Sequence, residues 1–174
     1  MKLGLGLAVS ACFASAAQAE TISSSPSGFE VRSTATVSAP PAKVYAQLGR
    51  IGEWWDPAHS YSRKGANMRM ELRAGGCFCE ATDDGGFVEH MRVIHARPGA
   101  LLRLHGGLGP LQASALAGTL TWSLKAVPGG TEIVQTYVVG GYVSGGADAL
   151  AAPVGQVLEH QLARLTARFP PRRP

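Results

Sequence analysis

Charge is scarce in this chain. Asp, Glu, Lys and Arg make up 16% of its 174 residues, below the usual quarter of a globular protein. The net charge is +4, and the densest basic spot, Arg172-Arg173, sits in a terminal tail of residues 170–174. Without a clustered basic face, the sequence gives no footing to nucleic acid as a partner. Aromatics are 7% and cysteines number three. No apolar run reaches the length of a membrane span. Catalytic signatures are missing too: there is neither a G-x-S-x-G elbow nor an H-E-x-x-H pair. Gly106-Gly107-Leu108-Gly109 lacks the strand-to-helix setting of a dinucleotide loop. No cofactor is expected.

What is abundant is glycine, with 22 residues, so many turns are expected. The length suits one domain with a real core. At the N-terminus, Met1-Lys2 is followed by a small, apolar, uncharged run to Ala17, and Ala17-Gln18-Ala19 has the A-x-A cleavage pattern. These are the parts of a secretory signal peptide, residues 1–19, cut after Ala19. A competing reading takes Val9-Ser10-Ala11-Cys12 as a lipoprotein box with Cys12 lipidated. Either route exports the domain, and a periplasmic or secreted location is expected.

Residues 20–28, rich in Ser with Pro26 and Gly28, read as a linker, leaving 29–169 as the folded domain. Phe29 to Ser38 alternates apolar and polar, the pattern of a strand. Ala39-Pro40-Pro41 stops it, and Val44, Tyr45 and Leu48 follow at helical spacing, with a second short helix through Ile51 to Trp55. Strands are then expected at 67–72, 77–82, 87–95, 100–105, 118–127 and 131–139, separated by Gly-rich turns. Leu150, Val154, Val157, Leu158, Leu162, Leu165 and Phe169 mark an amphipathic helix over about 148–169. The order implies an α+β fold: a curved antiparallel sheet of about six to seven strands wrapped on a long C-terminal helix, with two short helices after the first strand. One helix cannot fill the concave face of such a sheet, so a cavity is expected between them.

The stretch from Trp54 to Ser62 concentrates the unusual side chains: Trp54, Trp55, His59 and Tyr61. On a helix the two indoles are ~100° apart and cannot face the same way. One belongs in the core and the other at an entrance. With Trp122, Tyr137 and Tyr142, these residues are the candidate ligand-binding set. His59, Tyr61, Glu80 and His90 are the acid–base candidates. Cys77 and Cys79 share one face of a strand, where Cα atoms two residues apart lie roughly 6.6–7 Å apart, at or beyond the reach of an unstrained disulfide. Two buried thiols, a metal site and a redox pair all remain open. A hairpin centred on Asp84-Gly85 puts Cys79 opposite His90, which makes Cys77, Cys79 and His90 the candidate metal ligands.

Several of these stretches carry a family likeness. Val37-Ser38-Ala39-Pro40 followed by Val44-Tyr45, Ile51 with Trp54-Trp55-Asp56-Pro57, Gly129-Gly130-Thr131 and the terminal amphipathic helix resemble the START/Bet v 1-like (SRPBCC) helix-grip superfamily, in particular bacterial polyketide cyclase/dehydrase-like proteins. The likeness runs over roughly residues 29 to 168. It implies a container for hydrophobic small molecules and brings no shared catalytic motif. The leading expectation is an exported binding protein for an apolar or aromatic small molecule, monomeric or weakly dimeric. A cyclase, dehydrase or hydrolase using the His, Tyr and Glu groups in the same cavity is the alternative, and a protein-interaction domain is the second.

Overall fold

The structure, a computed structural model, describes residues 18–170. Most of the expected signal peptide, Cys12 and the Arg172-Arg173 pair lie outside the described residues.

Eight strands form one antiparallel sheet: β1 (Gln18–Ser25), β2 (Gly28–Val37), β3 (Met68–Met70), β4 (Cys77–Ala81), β5 (Phe87–Arg97), β6 (Leu101–Gly106), β7 (Leu116–Val127) and β8 (Gly130–Gly141). Their order is β1-β2-β8-β7-β6-β5-β4-β3. From β3 to β8 each strand pairs with its neighbour in sequence, as short turns demand. The exception is β2, which crosses to the far side of β8, Val31 lying opposite Tyr137.

The expected count of six to seven strands is corrected to eight, and the added strand is β1. Its residues from Glu20 onward read as linker because they are Ser- and Thr-rich, and they are exposed. An edge strand needs only one hydrogen-bonded neighbour and no apolar face, so it leaves no alternating pattern to read. Ala19 pairs with Ser33 and Glu20 with Arg32. A cut after Ala19 would therefore leave Glu20–Ser25 to pair with β2.

Two α-helices complete the fold, α1 (Pro41–Leu48) and α2 (Ala151–Thr166). A proline opens α1, where the missing N–H is not needed, and Val44, Tyr45 and Leu48 are its buried face. The second short helix is a single 3₁₀ turn, Ile51–Glu53. A 3₁₀ turn at Asp148–Leu150 precedes α2, and Pro153 lies in the first turn of that helix.

Helix α2 packs chiefly on β1 and β2. The approach is close at Gly155, where a Cβ would make ordinary contact, 3.5 Å from Val31 and 3.6 Å from Ala19. A buried amide ties the helix to the sheet. Gln135 on β8 accepts from Trp122 Nε1 at 2.8 Å and donates to the Leu158 carbonyl at 2.9 Å. Both polar atoms of the Gln135 side chain have a partner, so its burial carries no unpaired group. Leu102, Leu104, Leu120, Trp122, Ile133 and Tyr137 form the fully buried centre of the sheet. Beside α2, the indoles cover the inner face: Trp54 meets Trp122 edge-on at 6.2 Å and Trp55 meets Phe78 at 5.3 Å.

Candidate ligand-binding site

A cavity of about 530 Å³ opens between the first half of α2 and two loops. Trp55, Leu108, Leu111, Val154, Val157 and Leu158 supply most of its wall, with Ala58, His59, Ser60 and Tyr61 along one rim. Its size falls within the ~300–1,000 Å³ of small-molecule sites.

Helix α2 staples the first loop. The Asp56 backbone N–H donates to Gln161 Oε1 at 2.7 Å, the Asp56 carboxylate pairs with His160 Nε2 at 2.9 Å, and Arg164 Nε donates to the Trp54 carbonyl at 2.9 Å. Asp56 also caps the 3₁₀ turn Pro57–His59, accepting from the Ala58 N–H. That bond, helped by His160 and Arg164 and opposed by burial, holds its carboxyl below the usual aspartate value. The loop is thereby set before any ligand arrives.

Below its tip lies a buried carboxylate. Glu80 is fully buried, and its oxygens accept from the backbone N–H groups of Tyr61 (3.1 Å) and Ser62 and from His90 Nε2 (3.1 Å). A carboxylate only accepts, so Nε2 carries the imidazole proton. Burial pushes Glu80 up, but the bonds from Ser62, Tyr61 and His90 outweigh it and hold the group below the ordinary glutamate value. Burial pushes His90 down, against the hydrogen bond and charge of Glu80. Phe78 and Tyr61 flank the His90 ring, with centroids at 4.7 and 5.9 Å.

The second loop hangs from Tyr137. Its hydroxyl donates to the Gly106 carbonyl at 3.1 Å and accepts from the Leu108 N–H at 3.4 Å. Burial raises this phenol to about 12. Gly118 makes room for the ring, because a Cβ there would meet Tyr137 Cε2 at 2.6 Å. The two loops touch across the cavity mouth, where Tyr61 Oη donates to the Gly109 carbonyl at 3.1 Å.

The candidate residues from the sequence separate clearly. Trp55, His59 and Tyr61 stand in the cavity wall. Trp54, Trp122 and Tyr137 do not: they are buried in the core, because each indole or phenol finds its polar partner there. Tyr142 is 76% exposed, just past the end of β8, and is also not a wall residue. Glu80 and His90 meet each other but stand outside the wall, covered by the Tyr61 segment. The wall residues that went unread were Leu108, Leu111, Val154, Val157 and Leu158. The helical three of them were visible only as one side of an apolar stripe.

The proposed cluster of Cys77, Cys79 and His90 is corrected. An irregularity between Phe78 and Cys79 puts Cys79 opposite Glu89, with Phe78 opposite Met91, so His90 falls out of the ladder. It reaches Glu80 on the inner face instead. Cys77 and Cys79 are joined as a disulfide, their Cα atoms 5.4 Å apart rather than the roughly 6.6–7 Å of an extended strand. Glu89 comes within 4.8 Å of the two sulfurs. With the sulfurs bonded to each other and Glu89 paired to Arg92, the three do not present a free donor set.

A family profile described as polyketide cyclase / dehydrase and lipid transport matches residues 28–170. The chain belongs to that family. Among solved structures it is similar to an uncharacterized protein from Rhizobium leguminosarum, at 23% identity and a TM-score of 0.59, covering 88% of this chain and 97% of that one. It is similar also to MLL2253 from Mesorhizobium loti, at 18% and 0.58, covering 79% and 94%. A third is CalU16 from Micromonospora echinospora, at 14% and 0.56, covering 89% and 85%. At these identities the likeness shows the fold alone. No curated protein matches the sequence. Among the described residues, no helix is long and apolar enough to cross a membrane.

Proposed function

We propose that this chain is an exported binding protein for an apolar small molecule, held in the cavity between α2 and the two loops. The observation that carries the reading is the wall itself: a preformed space of about 530 Å³ lined mainly by aliphatic side chains and one indole face. Burying an apolar ligand there gains roughly 25 cal/mol for each Å² taken from water. Export rests on the N-terminal pattern of residues 1–19. The family description, which includes lipid transport, supports the same reading.

The acid–base alternative loses its best pair. Glu80 and His90 are bonded together beneath Tyr61, outside the cavity wall. Native mass spectrometry of the full chain expressed with its leader tests the proposal. The expected result is a mature mass consistent with cleavage after Ala19 and a co-purified apolar ligand, or saturable uptake of a fluorescent apolar probe. A protein that retains residues 1–19 refutes export. One that takes up no apolar molecule refutes the binding role.

A further inference from the structure

The cavity wall has few polar side chains, and apart from His59 their protons are already committed. Ser60 Oγ donates to the Pro57 carbonyl at 3.0 Å, Tyr61 Oη to the Gly109 carbonyl at 3.1 Å, and Trp55 Nε1 to the His59 carbonyl at 3.1 Å. A carbonyl oxygen can only accept, so each bond fixes the direction of its proton. The backbone N–H groups of the rim are taken as well. Ala58 donates to Asp56 Oδ1, His59 to the Asp56 carbonyl, Ser60 to the Pro57 carbonyl and Tyr61 to Glu80. Among the described residues, neither Lys nor Arg lines the cavity. Arg164, the cation beside the loop, spends its Nε on the Trp54 carbonyl.

Such a rim offers lone pairs and almost no protons. Ser60 Oγ and Tyr61 Oη can each still accept a hydrogen bond. The His59 imidazole, without a hydrogen-bond partner among the described residues, is the one side chain of the wall free to act in either sense. A carboxylate or phosphate brought into this wall would lose water and meet no cation and few donors, which is costly. A neutral molecule bearing a hydroxyl or N–H would lose its water and gain an acceptor.

We infer that the site selects neutral, largely apolar ligands carrying a hydrogen-bond donor, of the phenol or alcohol class, and rejects organic anions. Ser60 and Tyr61 are the residues that receive the donor. This inference rests on the binding reading above and narrows it.

Three probes on one naphthalene frame separate the possibilities: 2-naphthol, 2-methoxynaphthalene and 2-naphthoate, titrated at pH 7 into the full chain. A single hydrogen bond should make 2-naphthol bind roughly fivefold tighter than its methyl ether, with 2-naphthoate weakest of the three. Ser60→Ala and Tyr61→Phe should each shrink the gap between naphthol and ether, with folding checked by circular dichroism. If naphthoate binds as well as naphthol, or ether and naphthol bind alike, the donor rule is overturned while the cavity reading stands. If none of the three binds, the cavity reading fails and this inference falls with it.

Discussion

Two neighbouring regions of the molecule handle polar groups in opposite ways. Around Glu80 a buried charge is surrounded by donors, and a fully buried carboxylate collects three of them from segments 10 to 19 residues away. In the cavity what polarity there is belongs mainly to hydroxyls and an indole whose protons are already used. The Tyr61 segment belongs to both, its backbone held by Glu80 and its side chain forming part of the cavity wall. The titratable cluster in this protein supports the rim rather than lining the cavity. A search for paired His and Glu finds the support of the rim, and the binding surface lies on its other side.

Breaking the support should have the largest effect. Glu80→Ala leaves the Tyr61 and Ser62 N–H groups and His90 without their acceptor, and is expected to cost about 3–5 kcal/mol in urea unfolding. It should also weaken probe binding, because the rim loses its anchor. A variant that unfolds like the parent would remove Glu80 from its assigned role.

Acid should act on the same cluster in two stages. His90 binds a proton more readily unfolded than folded, because burial lowers its folded pKa. Stability therefore falls as the pH drops below about 6.5, the value of an unfolded histidine. Glu80 has a folded pKa below its unfolded one, near 4.3. Its contribution is present above that pH and is lost as the pH falls through the folded value. Urea midpoints measured from pH 7 down to 3 should show both stages, and His90→Gln should erase the upper one.

The cavity can be changed without touching the support. Val157→Trp places an indole into the space from a half-buried helix position, and should reduce apolar probe affinity at least tenfold. The melting temperature should move by no more than about 3 °C, the equivalent of roughly 1 kcal/mol in a protein of this size. A large loss of stability instead would mean that the wall is tightly packed core. The smallest effect is expected at the shared segment. Tyr61→Phe removes the hydrogen bond across the mouth, worth about 1 kcal/mol, and should speed probe release in stopped-flow measurements with little change in urea midpoint.

Much of the architecture could be read from local patterns. Alternation marked β2 and β5 to β8, the Pro40-Pro41 and Gly-rich punctuation marked their ends, and the three-and-four spacing marked α2. The strand β1 was illegible because an exposed edge strand of Ser and Thr carries no period. The site was legible only in part. Trp55, His59 and Tyr61 stood out as residue types, but Leu108, Leu111 and Val157 look like any other aliphatic residue. The Cys79–His90 pairing failed for a single extra residue on β5, since one step of register sends each side chain to the opposite face.

By itself, the sequence determined the class of fold, the order of its elements and the family, because hydrophobic period and turn chemistry act over a few residues at a time. Only the tertiary structure decided which aromatic residues face the cavity, that Glu80 and His90 serve the rim, and that the rim's protons are already bound. Those outcomes depend on atoms up to 110 residues apart in the chain, as in the bond from Arg164 to the Trp54 carbonyl. Hydrogen bonds are short and directional, so their partners are chosen when the sheet and helix close around them.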